Sequence, residues 1–374
     1  MAIFITGGTG YLGAYATDWL LRHTDYELAL LVRAEDYDHA IERLWRGLQF
    51  HMAPEDFHAA IDRLIPITGD LTEPRLGIAT ADYDWLISNV ESIIHSAAAL
   101  NFRSETICFN HNLRGTMAVI NLARSIQEDQ PLRRFTYVST AAVLGKRPGE
   151  QVMEDVPLDW MRPDYNPYTR TKKFGEHMVA ELLADVSCLY LRPSAAVGDS
   201  RFPRTTQFDM LRTFCALADL PVLPISPDIR VDLVNADWCG AGIAQLHLKE
   251  TLPYDTFHLS AGTESRTAAE ILESFARPLG RRPPRLEKRL QAPFERLTNA
   301  AANMSGSGKL RRLGSLIKVL MPHIVADTIY DNTRSLEVLG TNPIPFTSYA
   351  ADLYTYAKSV DYQYPYEPFP EHLG

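Results

Sequence analysis

The sequence predicts an α/β fold: a doubly wound, mostly parallel sheet joined to a smaller C-terminal substrate-binding domain. Three observations carry that expectation. Short apolar runs alternate with helical patterns as far as residue 200. A glycine-rich turn follows the first of these runs directly. Past residue 200 the alternation fails and proline-rich stretches take over, PVLPISP at 221–227 and then Pro278, Pro283, Pro284 and Pro293. At 374 residues the chain is long enough for both parts and a sizeable core. The expected division is 1–200 with 231–262 for the sheet domain, and 201–230 with 263–374 for the smaller one.

The first stretch, MAIFITGGTGYLG, sets the rest. Ala2 to Ile5 read as a buried parallel strand. Gly7, Gly10 and Gly13 follow in GxxGxxG spacing, and Ala14 to Leu21 open a helix. Strand, glycine turn and helix form the context a Rossmann dinucleotide site needs. The glycines admit a tight turn and a close backbone approach to a pyrophosphate, which the helix N-terminus favours. Gly13, lacking a Cβ, lets the helix sit close to the sheet.

The second strand is Glu27 to Val32, ending at Arg33. An acidic residue here favours NAD, whereas an arginine accommodates a 2′-phosphate, so Arg33 points to NADPH in preference to NADH. The alternative is a surface arginine paired with Glu35 or Asp36. Ala40 to Phe50 has helical periodicity and offers Arg43 as a second phosphate contact. Leu64 to Thr68 is the third strand, followed by Gly69, Asp70 and Leu71. Asp70 is placed to accept from an adenine amino group, or to act as an ordinary turn residue. The fourth strand, Val90 to His95, runs into Ser96 and Ala97 to Ala99, small residues that let the backbone approach a flat cofactor. His95 closes an apolar strand and is read as structural.

A helix from Asn110 to Ser125 carries Asn112. Arg134 to Ser139 is the fifth strand with Thr140 at its carboxyl end, the edge where open α/β sheets bind ligands. A helix from Tyr168 through Leu183 and a sixth strand from Val186 to Leu191 follow, leading to Arg192, Pro193 and Ser194. Val231 to Val234 and Phe257 to Leu259 are expected to return to the sheet, and Tyr362 to Pro370 to form an extended wrap.

Composition excludes several classes. Hydrophobic residues at 46% and charged residues at 22% are globular values. No apolar run approaches the roughly 20 residues of a membrane span. The strand at residue 2 leaves no room for a leader, so a cytoplasmic location is expected. Cys108, Cys188, Cys215 and Cys239 are far apart, so neither a metal site nor a disulfide framework is expected. The net charge of −9 is uneven: 277–318 holds 11 Lys and Arg against Glu287 and Glu295, a local +9. An acidic body with one basic segment argues against nucleic acid. It leaves room to dock an acidic protein or a phosphate-bearing arm, or the segment is simply a solvated basic face.

Tyr168 and Lys172, at i and i+4, share one helix face. An ammonium beside the phenol, helped by an oxidised nicotinamide, is expected to lower its pKa toward working range. Thr140 is placed to hydrogen-bond the same substrate oxygen. Lys173, the neighbouring register, does not share that face. The pair taken alone also fits an exposed helix surface.

In order, TGGTGYLG, GDL at 69–71, HSAA at 95–98, NLRGT at 112–116, YVST at 137–140, YTRTK at 168–172 and LRPS at 191–194 resemble the extended short-chain dehydrogenase/reductases over residues 1 to 260. LVRAED with AIERL, and GDLTEPRLGI at 69–78, look most like the thioester reductase and fatty acyl reductase branch. The resemblance implies Thr140, Tyr168 and Lys172 as catalytic residues. It implies nucleotide contacts at Gly7, Thr9, Gly10, Tyr11, Leu12, Arg33, Asp70, Leu71, Ala97, Asn112, Pro193 and Ser194. Gly13, Arg43, Ala98 and Ser139 complete the candidate set, with Tyr168 and Lys172 in both roles.

The expected activity is NADPH-dependent reduction of a carrier- or CoA-bound acyl thioester to an aldehyde, with further reduction to an alcohol left open. Since no adenylation or carrier domain precedes the glycine turn, a carrier-bound substrate is expected in trans, docking on 277–318. The alternatives are a ketone or hydroxy-acid oxidoreductase, a nucleotide-sugar epimerase, or a non-catalytic NADP(H) sensor.

Overall fold

The computed structural model describes residues 1–290, 321, 322 and 324–370. Seven strands form its central sheet: β1 (Ala2–Thr6), β2 (Glu27–Val32), β3 (Leu64–Thr68), β4 (Val90–His95), β5 (Arg134–Val138), β6 (Cys188–Pro193) and β7 (Thr256–Leu259). Their order is β7-β6-β5-β4-β1-β2-β3, with every neighbouring pair parallel. The chain reverses its direction of winding between β1 and β4, so the carboxyl ends of these two strands open a crevice at the switch point.

Side-chain alternation along β1 explains the two layers. Ile3 and Ile5 point into a core built with α1 (Tyr11–His23), α2 (Tyr37–Leu48), α3 (Pro54–Ala60) and a later helix at Ala236–Leu248. Ala2 and Phe4 point into the opposite core, with α4 (Thr80–Asn89) and two further helices. Those two are the continuous helical stretch α5 (Glu105–Cys108) to α6 (Gly115–Asp129), and α7 (Pro167–Leu182). Every residue of β1 and β5 is buried, as a sheet covered on both faces requires.

A third core gathers α8 (Asp209–Ala218), the helices Ala268–Ala276 and Ala350–Ser359, and residues around Phe346. The expected strand at Val231 to Val234 is not part of the main sheet. Arg230–Val231 pairs antiparallel with Arg266–Thr267, while Leu233–Val234 pairs with Ala195–Ala196. The physical reason is Asp232 between them. Its buried carboxylate accepts from Ser194 Oγ at 2.7 Å and from the Ala261 amide at 2.8 Å, which pins this segment across the strand ends. Phe257 to Leu259 does return to the sheet, as β7. Residues 363–370 run extended over α2 and α3, with Phe369 against Trp45 and Phe57.

Candidate active site

The glycine turn closes on itself through Gly10 N donating to Gly7 O at 2.9 Å. Gly7 has φ +75°, and a Cβ there would lie 2.6 Å from the Ala97 amide nitrogen. A Cβ at Gly13 would lie 2.0 Å from the Gly7 carbonyl oxygen. Both positions therefore admit only glycine without backbone movement. No side chain caps the first turn of α1 and no acidic residue lies in it, so its amides are left for an anion. This cradle fits a dinucleotide pyrophosphate. Ala97, donating its amide to Thr6 Oγ1 at 3.3 Å, brings the turn after β4 beside it.

Lys172 and Thr140 both bond near the carboxyl end of β5. Lys172 Nζ, 2% exposed, donates to Val138 O at 2.7 Å, and its charge lies 4.6 Å from the centre of the Tyr137 ring. That bond holds the Tyr168–Lys172 face of α7 against the strand end that carries Thr140. Thr140 Oγ1 donates to Pro193 O at 3.3 Å, tying β5 to β6. Asn166 caps α7, exchanging bonds with Thr169, and Pro167 starts the helix, so Tyr168 lies in a fixed first turn.

A second clamp works from the other side. Asn112 lies in a π-helical stretch between α5 and α6. Its Oδ1 accepts from the Ala99 amide at 2.8 Å, while its Nδ2 donates to Thr171 Oγ1 at 3.0 Å. Phe102, on the loop so held, meets the Tyr168 ring edge-on at 5.8 Å. One turn beyond Lys172, Glu176 and Arg192 form a buried bidentate pair at 3.0 and 2.8 Å.

One electrostatic expectation, a lowered Tyr168 phenol, is not met by the chain's own groups. Burial, with the Cys108 thiol adding to it, pushes the Tyr168 phenol well above its ordinary value, not down. Burial also pulls Lys172 down to about 7, against the opposing field of Glu176, and its ammonium is committed to Val138. Desolvation, and not the Lys172 ammonium, sets the direction of the Tyr168 shift.

Residues 5–243 match the NAD-binding family described as Male sterility protein. The chain belongs to that family. It is 31% identical over 267 residues to a linear gramicidin synthase of Brevibacillus parabrevis, covering 69% of this chain and 5% of that protein. It is 26% identical over 271 residues to the fatty acyl-CoA reductase wat of Drosophila melanogaster, covering 63% of this chain and 52% of that protein. The chain thus spans a small part of the first relative and about half of the second. The terminal R domain from the myxalamid PKS-NRPS biosynthetic pathway superposes with a TM-score of 0.79 at 23% identity, over 96% of this chain and 91% of that one. That likeness is one of fold.

As a Male sterility family protein of the extended short-chain dehydrogenase/reductase type, the chain is an NAD(P)-dependent oxidoreductase. Several candidate residues occupy the crevice in roles the sequence did not show. The Asn112 amide bonds to Ala99 and Thr171, and the residue is 1% exposed, so it braces the loop after β4 against α7. Tyr11 turns its hydroxyl to the Gly198 amide at 2.9 Å, leaving its backbone at the helix N-terminus. Leu12 packs into the α1 core. Ser194 gives its hydroxyl to Asp232, Pro193 is buried at the end of β6, and Leu71 packs beside α6. Ser139 is buried, and its Oγ has no hydrogen-bond partner among the described residues.

Asp70 Oδ1 accepts twice from Thr72, at 2.8 and 2.7 Å, and its Oδ2 lies 3.6 Å from Arg33. Burial opposes its charge, but these contacts prevail and hold it below the usual carboxylate range. Arg33 is 67% exposed and pairs with Asp70, not with Glu35 or Asp36. Asp36 instead caps α2. His95 is buried between Thr6 Oγ1 at 2.6 Å and Thr116 Oγ1 at 2.9 Å, a structural residue. Lys173 turns away to pair with Asp164 at 2.9 Å.

Residues 291–318 of the basic segment lie outside the described residues. In the described part, Arg277, Arg281 and Arg285 pair with Glu273, Asp219 and Glu287, so much of that charge is met within the chain. Among the described residues no helix is long and apolar enough to cross a membrane.

Residues missed from the sequence include Asp232, Glu176 with Arg192, Cys108 and Phe102. Glu176 was legible in principle, since i+4 from Lys172 places it on the same face. Cys108 and Phe102 carry no spacing signal.

Proposed function

We propose that the protein is an NADPH-dependent reductase of an acyl thioester, with Thr140, Tyr168 and Lys172 as its catalytic residues. The observation that supports this reading is the buried Lys172–Val138 bond, which ties α7, the helix that carries Tyr168, to the end of β5, two residues before Thr140. Kinship with a gramicidin synthase and a fatty acyl-CoA reductase supports an acyl substrate. Arg33 and Arg43 support NADPH over NADH, because the end of β2 offers a guanidinium and the nearby Asp36 is spent as a helix cap.

When bound, the reduced nicotinamide supplies hydride to the thioester carbonyl carbon. The Thr140 hydroxyl and the Tyr168 phenol donate hydrogen bonds to the carbonyl oxygen and stabilise its developing charge. Tyr168 then hands its proton to that oxygen, giving a hemithioacetal. Lys172 holds α7 in place and, when charged, eases the loss of the phenolic proton. Collapse of the hemithioacetal breaks the C–S bond to give an aldehyde and a thiol. Overall one thioester, one NADPH and one proton yield one aldehyde, one thiol and one NADP⁺. The basic segment 277–318 is proposed to meet an acidic carrier protein or its phosphopantetheine arm.

The reading is tested by a cofactor and substrate screen. NADPH oxidation should depend on acyl-carrier or acyl-CoA thioesters, with aldehyde or alcohol among the products. A tightly bound NAD released on denaturing the purified protein, with no thioester turnover, would favour an epimerase.

A further inference from the structure

The stretch following the helix Ala350–Ser359 takes no part in the site, yet it is held firmly on the nucleotide half. Trp45 Nε1 donates to Glu367 O at 3.1 Å and Pro368 O at 3.2 Å. Gln49 exchanges two bonds with the Glu367 backbone, donating to its carbonyl at 3.1 Å and accepting from its amide at 2.7 Å. The Phe369 ring meets Trp45 at 6.2 Å, Phe57 at 5.6 Å and His58 at 5.1 Å, edge-on to the first two. Arg46 lies over the Tyr366 ring at 4.2 Å. These grips fall on α2 and α3. At its other end the stretch leaves the third core, where Tyr362 packs on Phe208.

The opposite side of α2 faces the glycine turn. A Cβ at Gly47 would lie 2.9 Å from Thr9 Cα, so helix and turn touch through backbone there. Arg43 is one turn earlier on the same face. Among the described residues it makes no ion pair or hydrogen bond with protein. Helix α2 is therefore held between two neighbours, the nucleotide turn on one side and the 364–370 stretch on the other.

We propose that residues 364–370 are a positioning element for the cofactor: by gripping Trp45 and Gln49 they fix the seat of α2, and with it Arg43, for a nucleotide bearing a 2′-phosphate. The inference rests on the NADPH reading above. It adds that the specificity for that phosphate is set from outside the nucleotide half, by a segment anchored in the third core. Phe369 and Gln49 touch no reacting atom and act through the helix.

The experiment uses the full chain and measures dissociation constants for NADPH and NADH by calorimetry. The variants are Phe369→Ala, Gln49→Ala and, as a control, Arg43→Ala. Phe369→Ala and Gln49→Ala should each weaken NADPH about five- to tenfold while changing NADH by less than about twofold. Turnover at saturating NADPH should stay within about twofold of wild type. Gln49 is only half-buried, so its variant keeps the test open should Phe369→Ala fold poorly. Equal weakening of both nucleotides, or no change in either variant while Arg43→Ala weakens NADPH, overturns the proposal. If Arg43→Ala leaves NADPH affinity intact, the 2′-phosphate reading itself fails, and this inference fails with it.

Discussion

Lys172 Nζ and Val138 O, 2.7 Å apart and out of solvent, join α7 to the end of β5. Through that bond a helix face and a strand end, distant in sequence, are held together. Replacing Lys172 by Met keeps the volume but leaves the Val138 carbonyl unsatisfied and removes the charge near Tyr168. The expected outcome is at least about a hundredfold loss of turnover. An unfolding titration should show destabilisation of about 1–3 kcal/mol, the penalty of an unpaired buried acceptor.

Asn112→Ala would free the Ala99 loop and Thr171 at once. A fall in kcat of about tenfold or more is expected, with NADPH affinity changed far less, because the amide contacts protein on both sides. Comparing kcat with nucleotide affinity in the variant separates this clamp role from a direct cofactor contact. Loss of affinity alone would restore Asn112 to the cofactor.

Arg192→Met would strand the Glu176 carboxylate in the interior, where its two bonds to the guanidinium are its described partners. Stability should fall by about 3–5 kcal/mol, as for other buried pairs broken on one side. The double variant Glu176→Leu with Arg192→Met should recover much of that loss. Chemical denaturation of the two variants checks both statements.

Glu154 is buried, and burial pushes its carboxyl up to about 7 despite bonds from the His258 and Arg334 amides and the Ser335 hydroxyl. Between the unfolded value near 4.5 and the folded value, the native state binds more protons than the unfolded one. Its contribution to stability is therefore fully present at low pH and is lost as pH rises through about 7. In thermal melts from pH 5 to pH 8, wild type should lose more Tm with rising pH than Glu154→Gln. Parallel curves would contradict this.

Gly13→Ala is expected to abolish nucleotide binding or folding, since its methyl would fall 2.0 Å from the Gly7 carbonyl oxygen. Nucleotide-dependent thermal shift is the readout. A retained shift would show that the turn can open.

The sheet was legible because its strands are short apolar runs punctuated by glycine and small polar residues. β2, β3 and β4 lie where the pattern puts them. The start of α7 was legible from Asn166 and Pro167, which cap and open it. Hidden from the pattern were contacts between elements far apart in the chain. Asp232 ties its own segment to Ser194, Ala261 and Tyr330 by hydrogen bonds, so Leu233–Val234 leaves the sheet. Likewise the direction of the Tyr168 shift depends on how deeply the phenol is buried, and helical spacing says nothing of burial.

The most direct measurement is thioester-dependent NADPH oxidation by wild type and by Tyr168→Phe, with nucleotide affinity measured alongside. Wild type should consume NADPH only when an acyl thioester is present and release an aldehyde or its alcohol. The phenylalanine variant should bind NADPH normally and turn over at least about a hundredfold more slowly. An undiminished rate in that variant would contradict the account.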